Sequence, residues 1–326
     1  MEFNQNVFNR LVAFLRFPLA VAVVAIHCTI VDCYPLFRWT LQNLIFLAVP
    51  LFFIISGYYF THSAKTYKTK IADRIKTILI PYFLWNTIAW IVSMRKTGFV
   101  WPTWNSFILN PIDFPLWFLR DLFILCLFHP VIVQLGKIAH GTLLFAICLV
   151  VAYLQFTCSY PYMSSKNLSL LYFCTGVFLH GYAHKFFALM PFHRNVVYVL
   201  TIILFVCFLW LRSHGFQIIN TPQYHIYIMM GCISVLMLGY QFIKNSDGNR
   251  IVGFIIKLEK YSFFIFAVHI ILISGFFIRI ITLLPIYPEL QQILVILSIT
   301  ICCIFLFILL RKYMPRVLFW LTGSRV

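Results

Sequence analysis

Apolar residues in this chain gather into ten runs, near 11–30, 41–60, 78–94, 117–136, 141–156, 168–182, 195–212, 224–242, 262–280 and 290–311. Most are long enough to cross a bilayer core of roughly 30 Å as a helix. Polar and charged residues lie between the runs. The pattern predicts an all-α protein: a polytopic transmembrane helix bundle of about ten spans. No internal repeat and no low-complexity stretch stands out.

Composition sharpens the picture. Of 326 residues, 62% are hydrophobic and 10% charged, against about 45–50% and about 25% in soluble domains. Intrinsic disorder, a collagen-like chain and a small disulfide scaffold are excluded on the same figures. Ten spans of roughly 20 residues use about 200 positions. Residues 1–326 are therefore expected to form a single membrane-embedded domain with no separate soluble one.

The 25 Lys and Arg against 8 Asp and Glu give a net charge of +17, which in a soluble chain would suggest nucleic acid. Here the cations fall between apolar runs rather than along a stripe, so no nucleic-acid partner is expected. With the N-terminus inside, seven cations lie outside (Arg38, Arg95, Lys96, Arg120, Lys166, Arg212 and Arg279), leaving the other 18 of the 25 inside. That asymmetry predicts ten spans with both termini cytoplasmic. The first run contains Arg16 and has no small-residue cleavage site before Asp32, so it reads as a retained span. Seven of the ten cysteines lie inside apolar runs and away from the predicted outer ends, in positions where a thiol acts as a small hydrophobe. Cys28, Cys33 and Cys158 fall near outer ends, where a disulfide is possible. His180 and His184 have i,i+4 spacing without a third ligand, so no metal site is expected.

Ionisable residues inside spans are costly and by default face a cavity or a partner. Arg16 and His27 stand eleven residues apart on one helix, a rotation of about 1100°, so they share a face about 16 Å apart along the axis. A cation at one end of such a stripe and an imidazole at the other suggest a passage through the bundle. The alternative is that Arg16 reaches lipid headgroups and His27 bonds a neighbouring helix. Pro50 to Tyr58 ends the second run with Ser56-Gly57, which allows close helix approach or offers a hydroxyl to a polar substrate. A basic loop from Lys65 to Lys76, including Arg74, precedes Pro81-Tyr82 and suits a phosphorylated ligand as well as the topology rule. Arg120 and Asp121, being adjacent, do not share a helix face, so each is expected to find a partner elsewhere. His269, in the ninth run, reads as a core residue or a site residue. The outer segment 95–116, with Trp101, Pro102, Trp104, Pro111 and Pro115, reads as an interfacial anchor or a lid over an outward-facing site.

Together these elements resemble the acyltransferase-3 family of membrane O-acyltransferases, which modify bacterial cell-surface polysaccharides. The resemblance rests on the Arg-x10-His of the first span (Arg16, His27), Pro50 to Tyr58, the basic loop before Pro81-Tyr82, Trp117 to Leu122, and the late aromatic helix bearing His269. Ala13 stands where many members carry an acid. Thr77 stands where some carry a second loop arginine, which leaves Lys76 as the second cation.

The resemblance implies transfer of an acyl group, usually acetyl, from cytoplasmic acyl-coenzyme A to a hydroxyl of an envelope glycan or lipid-linked sugar, in the bacterial inner membrane. Such chemistry needs a base, oxyanion stabilisation and exclusion of water. The matched positions make His27 the base, with Arg120 or Ser56 at the oxyanion and Asp121 orienting an imidazole. Arg16, Arg74, Lys76, Tyr82 and His269 fall to the donor site. Acyl-coenzyme A is expected as a substrate rather than a resident cofactor. The competing class is a secondary transporter, but the inverted repeats and broken helices common in such carriers are not evident here.

Overall fold

A computed structural model describes residues 3–28, 33–97, 101–103, 105–138, 142–157, 168–189, 191–219, 221–273 and 277–325. Asp32, Trp104, Cys158 and Lys166, singled out above, lie outside the described residues. Those described form helices and connections, without a strand. In chain order the helices are α1 (Gln5–His27), α2 (Pro35–Ile45), α3 (Ala48–His62), α4 (Tyr67–Arg74) and α5 (Ile80–Thr97). Next come α6 (Trp117–Lys137), α7 (Thr142–Thr157), α8 (Ser169–Phe187), α9 (Pro191–Ser213) and α10 (Pro222–Lys244). The last are α11 (Arg250–Lys257), α12 (Ser262–Ile273), α13 (Phe277–Ile281), α14 (Pro288–Tyr313) and α15 (Pro315–Leu321).

Among the described residues, seven stretches are long and apolar enough to cross a membrane: Gln5–His27, Pro35–His62, Tyr67–Met94, Phe114–Lys137, Pro191–Ser213, Pro222–Lys244 and Pro288–Tyr313. The other three apolar runs are helical too, with reasons for falling short. α7 has 16 residues, and α8 carries His180, Tyr182, His184 and Lys185 in its second half. The run 262–280 is shared between the 12-residue α12 and the 5-residue α13.

The chain divides into two compact units. The first comprises Met1–Leu15, Trp39–Ala64 and Phe128–Lys257. Its centre is the crossing of α3 and α8, where two glycines remove the side chains that would hold the backbones apart. A Cβ on Gly57 would collide with the carbonyl oxygen of Phe173, and one on Gly176 with that of Ile54. Hydroxyls bind the surrounding helices. Tyr58 and Tyr59 donate to Gln5 Oε1 and Asn9 Oδ1, both at 2.6 Å. Fully buried Asn43 accepts from Tyr224 at its Oδ1 (2.9 Å) and from Tyr227 at its carbonyl (3.0 Å). Thr201 of α9 meets Ser234 of α10 at 2.8 Å.

The second unit comprises Arg16–Arg38, Lys65–Leu127 and Leu258–Val326. α12 packs on α14 and α5, and α15 packs against α5 and α14. Between α4 and α5, residues Ile75–Leu79 form one wide π turn in which the Ile80 N–H reaches the Ile75 carbonyl. Pro81 accounts for it: without an N–H it cannot bond the Thr77 carbonyl, so the ladder shifts register ahead of the ring.

Candidate active site

The second unit holds every residue singled out for chemistry except Ser56, which is half-buried on α3 in the first unit. Arg16 Nη1 bonds Glu259 Oε1 at 3.2 Å. Eleven residues on, the His27 ring lies 5.3 Å from that of His269. Glu259 sits in the short 3-10 turn Leu258–Tyr261 that runs into α12, and His269 lies ten residues beyond it. Both α1 side chains thus meet one continuous element, and the shared face expected from spacing is observed.

The far end of α1 is fixed from α14. Gln292 Nε2 donates to the Cys28 carbonyl at 2.6 Å, Tyr34 N–H donates to Glu289 Oε1 at 2.7 Å, and Cys33 Sγ donates to the Pro288 carbonyl at 3.4 Å. Cys28 and Cys33 are both free thiols.

His269 is fully buried. Its Nδ1 faces the carbonyl oxygens of Phe266 (2.7 Å) and Ile265 (3.2 Å). A carbonyl can only accept, so in the neutral ring Nδ1 carries the proton and Nε2 bears a lone pair. That Nε2 is buried without a hydrogen-bond partner among the described residues. A buried acceptor without a partner is costly, and here it stands beside a second imidazole.

The segment 105–116 closes over this end. Asn105–Leu109 is a single π turn and Phe114–Leu116 a 3-10 turn. Irregular backbone needs side chains to satisfy it away from water, and α5 and α6 supply them. Tyr82 donates to the carbonyls of Ile108 (2.8 Å) and Phe107 (3.2 Å). Buried Asn86 donates to Phe107 O at 3.3 Å and accepts from Ile112 N–H at 3.0 Å. Arg120 Nη1 donates to the Leu109 carbonyl. So strapped, the segment sets the Phe114 ring edge-on to His27, 6.1 Å between centroids.

Arg120 and Asp121 correct an expectation. Arg120 does find a separate partner in the Leu109 carbonyl, but the two also bind each other: Nε and Nη2 both reach Asp121 Oδ1, at 2.8 and 2.7 Å. The i,i+1 rule concerns helix faces, but a guanidinium on three methylenes is long enough to fold back over its neighbour. At the other end, half-buried Arg74 closes α4 and exposed Lys76 lies within the π turn. In the first unit, the His180 ring lies 5.4 Å from that of His62 while His184 lies 5.4 Å from Phe3. No cluster of three or more potential metal ligands occurs among the described residues.

No motif or spacing in the sequence marks Asp113. It is 3% exposed, and its Oδ1 has no partner among the described residues. Burial raises its pKa from 3.8 to about 7. Between these values the unfolded chain ionises while the folded one keeps the proton, so stability falls as pH rises through that window and stays low above it. Asp113→Asn should flatten the slope, with a gain of as much as about 4 kcal/mol at pH 8. Melting temperatures of the detergent-solubilised protein from pH 4 to 8 measure it, and parallel curves for wild type and variant would remove the effect. Glu259 was also unremarked, although an acid bordering an apolar run is conspicuous in a chain with only eight.

Helices of this length and composition, with paired imidazoles at one end of a shared face and an ion pair at the other, define an integral membrane protein with ionisable groups held inside it. The family model described as an acyltransferase domain (acyltransferase-3) matches residues 12–312, nearly the whole chain. The chain belongs to that family and is a membrane acyltransferase. No curated protein and no solved structure matches it.

Proposed function

We infer that the protein moves an acetyl group from cytoplasmic acyl-coenzyme A to a hydroxyl of a cell-envelope glycan or lipid-linked sugar. It would sit in a bacterial inner membrane as ten spans with both termini cytoplasmic. The observation that carries this reading is the His27–His269 pair at 5.3 Å, on the element that also binds Arg16. His27 accepts the proton of the acceptor hydroxyl as its oxygen attacks the thioester carbonyl. The tetrahedral adduct collapses with cleavage of the C–S bond, and the imidazolium returns the proton to the departing thiolate. The products are the ester and free coenzyme A. His269, whose Nε2 has no partner among the described residues, would take an N–H of His27 once that ring is charged and so orient it. Arg120, held by Asp121, supplies positive charge toward the oxyanion. Arg16, Arg74 and Lys76 take the phosphates of the donor at the other end of the face. Tyr82 serves by holding the strap.

Membranes containing the protein, incubated with acetyl-labelled acetyl-coenzyme A, should pass label into envelope glycan or glycolipid. Matched membranes without it should not. Equal labelling in both would overturn the assignment, and sugar flux without labelling would favour the carrier.

A further inference from the structure

The last residues of the chain, beyond the family match, turn back into the second unit. α15 ends with its Leu321 carbonyl accepting from the buried Trp85 Nε1 at 2.9 Å. Gly323 follows with φ +61°, and a Cβ there would lie 2.7 Å from the backbone of Thr77. This is the carbonyl that Pro81 leaves without its helical donor, and the open π turn is what admits the tail. Arg325 then lays its guanidinium over the Phe263 ring at 4.2 Å and donates to the Thr322 carbonyl at 3.1 Å.

The surroundings of that guanidinium are cationic. Phe263 lies four residues after Glu259, the partner of Arg16, while Thr77 lies three after Arg74. Desolvation of the Arg325 head group, and then the charges of Arg74 and Arg16, push its pKa down. The residue as a whole, at the chain end, is exposed while its head group rests on Phe263. Glu259 is the carboxylate bonded to Arg16. Thr77 Oγ1 and Ser262 Oγ, in the segments that carry the turn, are buried without partners among the described residues. Guanidiniums near one another repel; Arg16 is held by Glu259, and Arg325 by the Phe263 ring and the Thr322 carbonyl. Such a cluster with idle hydroxyls beside it is matched to an anion bearing several negative charges.

We propose that the C-terminal turn supplies Arg325 as the third guanidinium, with Arg16 and Arg74, of a polyphosphate-binding mouth that grips the nucleotide end of acyl-coenzyme A. The proposal rests on the donor assigned above. It makes the tail part of the binding site.

The test is calorimetric binding of coenzyme A to the full-length protein in lipid nanodiscs. Arg325→Ala should weaken binding about tenfold or more, the loss of a charge-assisted bond, and Arg325→Lys should recover part of it. Gly323→Ala keeps the arginine but forces its turn off Thr77, and it should weaken binding likewise. Arg16→Ala should do the same, whereas binding of pantetheine, which lacks phosphate, should not change in Arg325→Ala. Unchanged melting temperature in Arg325→Ala guards against a folding defect. Wild-type affinity in both Arg325→Ala and Gly323→Ala would overturn the role of the tail and leave the donor assignment standing. A wild-type protein that binds no coenzyme A would overturn the donor assignment and this proposal with it.

Discussion

His27→Ala abolishes acyl transfer while the protein remains folded in the membrane: this is the expected result, with a loss of roughly 10²–10⁴-fold, the usual contribution of a positioned base. The ring it removes is half-buried between His269 and Phe114, neither of which is hydrogen-bonded to it in the structure. Folding should therefore tolerate the substitution. Initial rates with labelled acetyl-coenzyme A, normalised to protein in the membrane, give the measurement, and rates within twofold of wild type would remove His27 as the base. His269→Gln should be milder, since His269 acts on the reaction through His27. Its signature is a changed pH profile, because the group that sets the orientation of the base is gone. An effect of His269→Gln on yield alone would reduce it to a packing residue.

The largest structural effect is expected in the first unit. Gly57→Ala and Gly176→Ala each push a methyl group into a backbone carbonyl across the α3–α8 crossing. Backbone cannot yield as a flexible side chain does, so the helices must separate. Separation strips contact from a neighbourhood that includes the buried side chains of Phe53, Tyr58, Tyr172 and Phe173. Overpacking typically costs about 1–3 kcal/mol, and a clash with backbone on both sides of the crossing belongs at or above the top of that range. Folded yield on size-exclusion chromatography and the midpoint of thermal unfolding measure it. Gly181→Ala, whose Cβ would meet nothing within 4 Å, is the matched control. Equal stability of Gly57→Ala and Gly181→Ala would refute the tight crossing.

What could be read from the chain, and what could not, follows from the range of the forces involved. The Arg16–His27 face was legible because helical rotation depends only on residue spacing, and one helix holds both. Ser56-Gly57 announced close approach for the same local reason, although its partner Gly176 could not be named without the fold. The pairing of His27 with His269 joins positions 242 residues apart, and no local periodicity encodes it. Arg120 and Asp121 were misjudged because helix-face geometry ignores the reach of a long side chain. The span count was blurred at α7, α8 and α12–α13, where length or polar content is marginal and hydropathy alone has least to say. Arg325 carries no local mark, because a cation after the last apolar run resembles a topology signal and only the turn at Gly323 brings it back onto Phe263.

The link between Thr201 and Ser234 has a consequence for how the protein sits among lipids of differing length. α9 is exposed or half-exposed along its length, with Phe208 its one buried side chain among those described. Acyl chains solvate such a rod as readily as another helix would, so grease alone gives it no preferred azimuth. The hydroxyl pair part-way along the rod, the Phe208 ring on Tyr224 and Tyr227, and the Arg212–Gln42 bond near its end fix its rotation and that end. In a thicker or thinner bilayer, α9 should accommodate the mismatch by tilting about those contacts, its Pro191 end moving most.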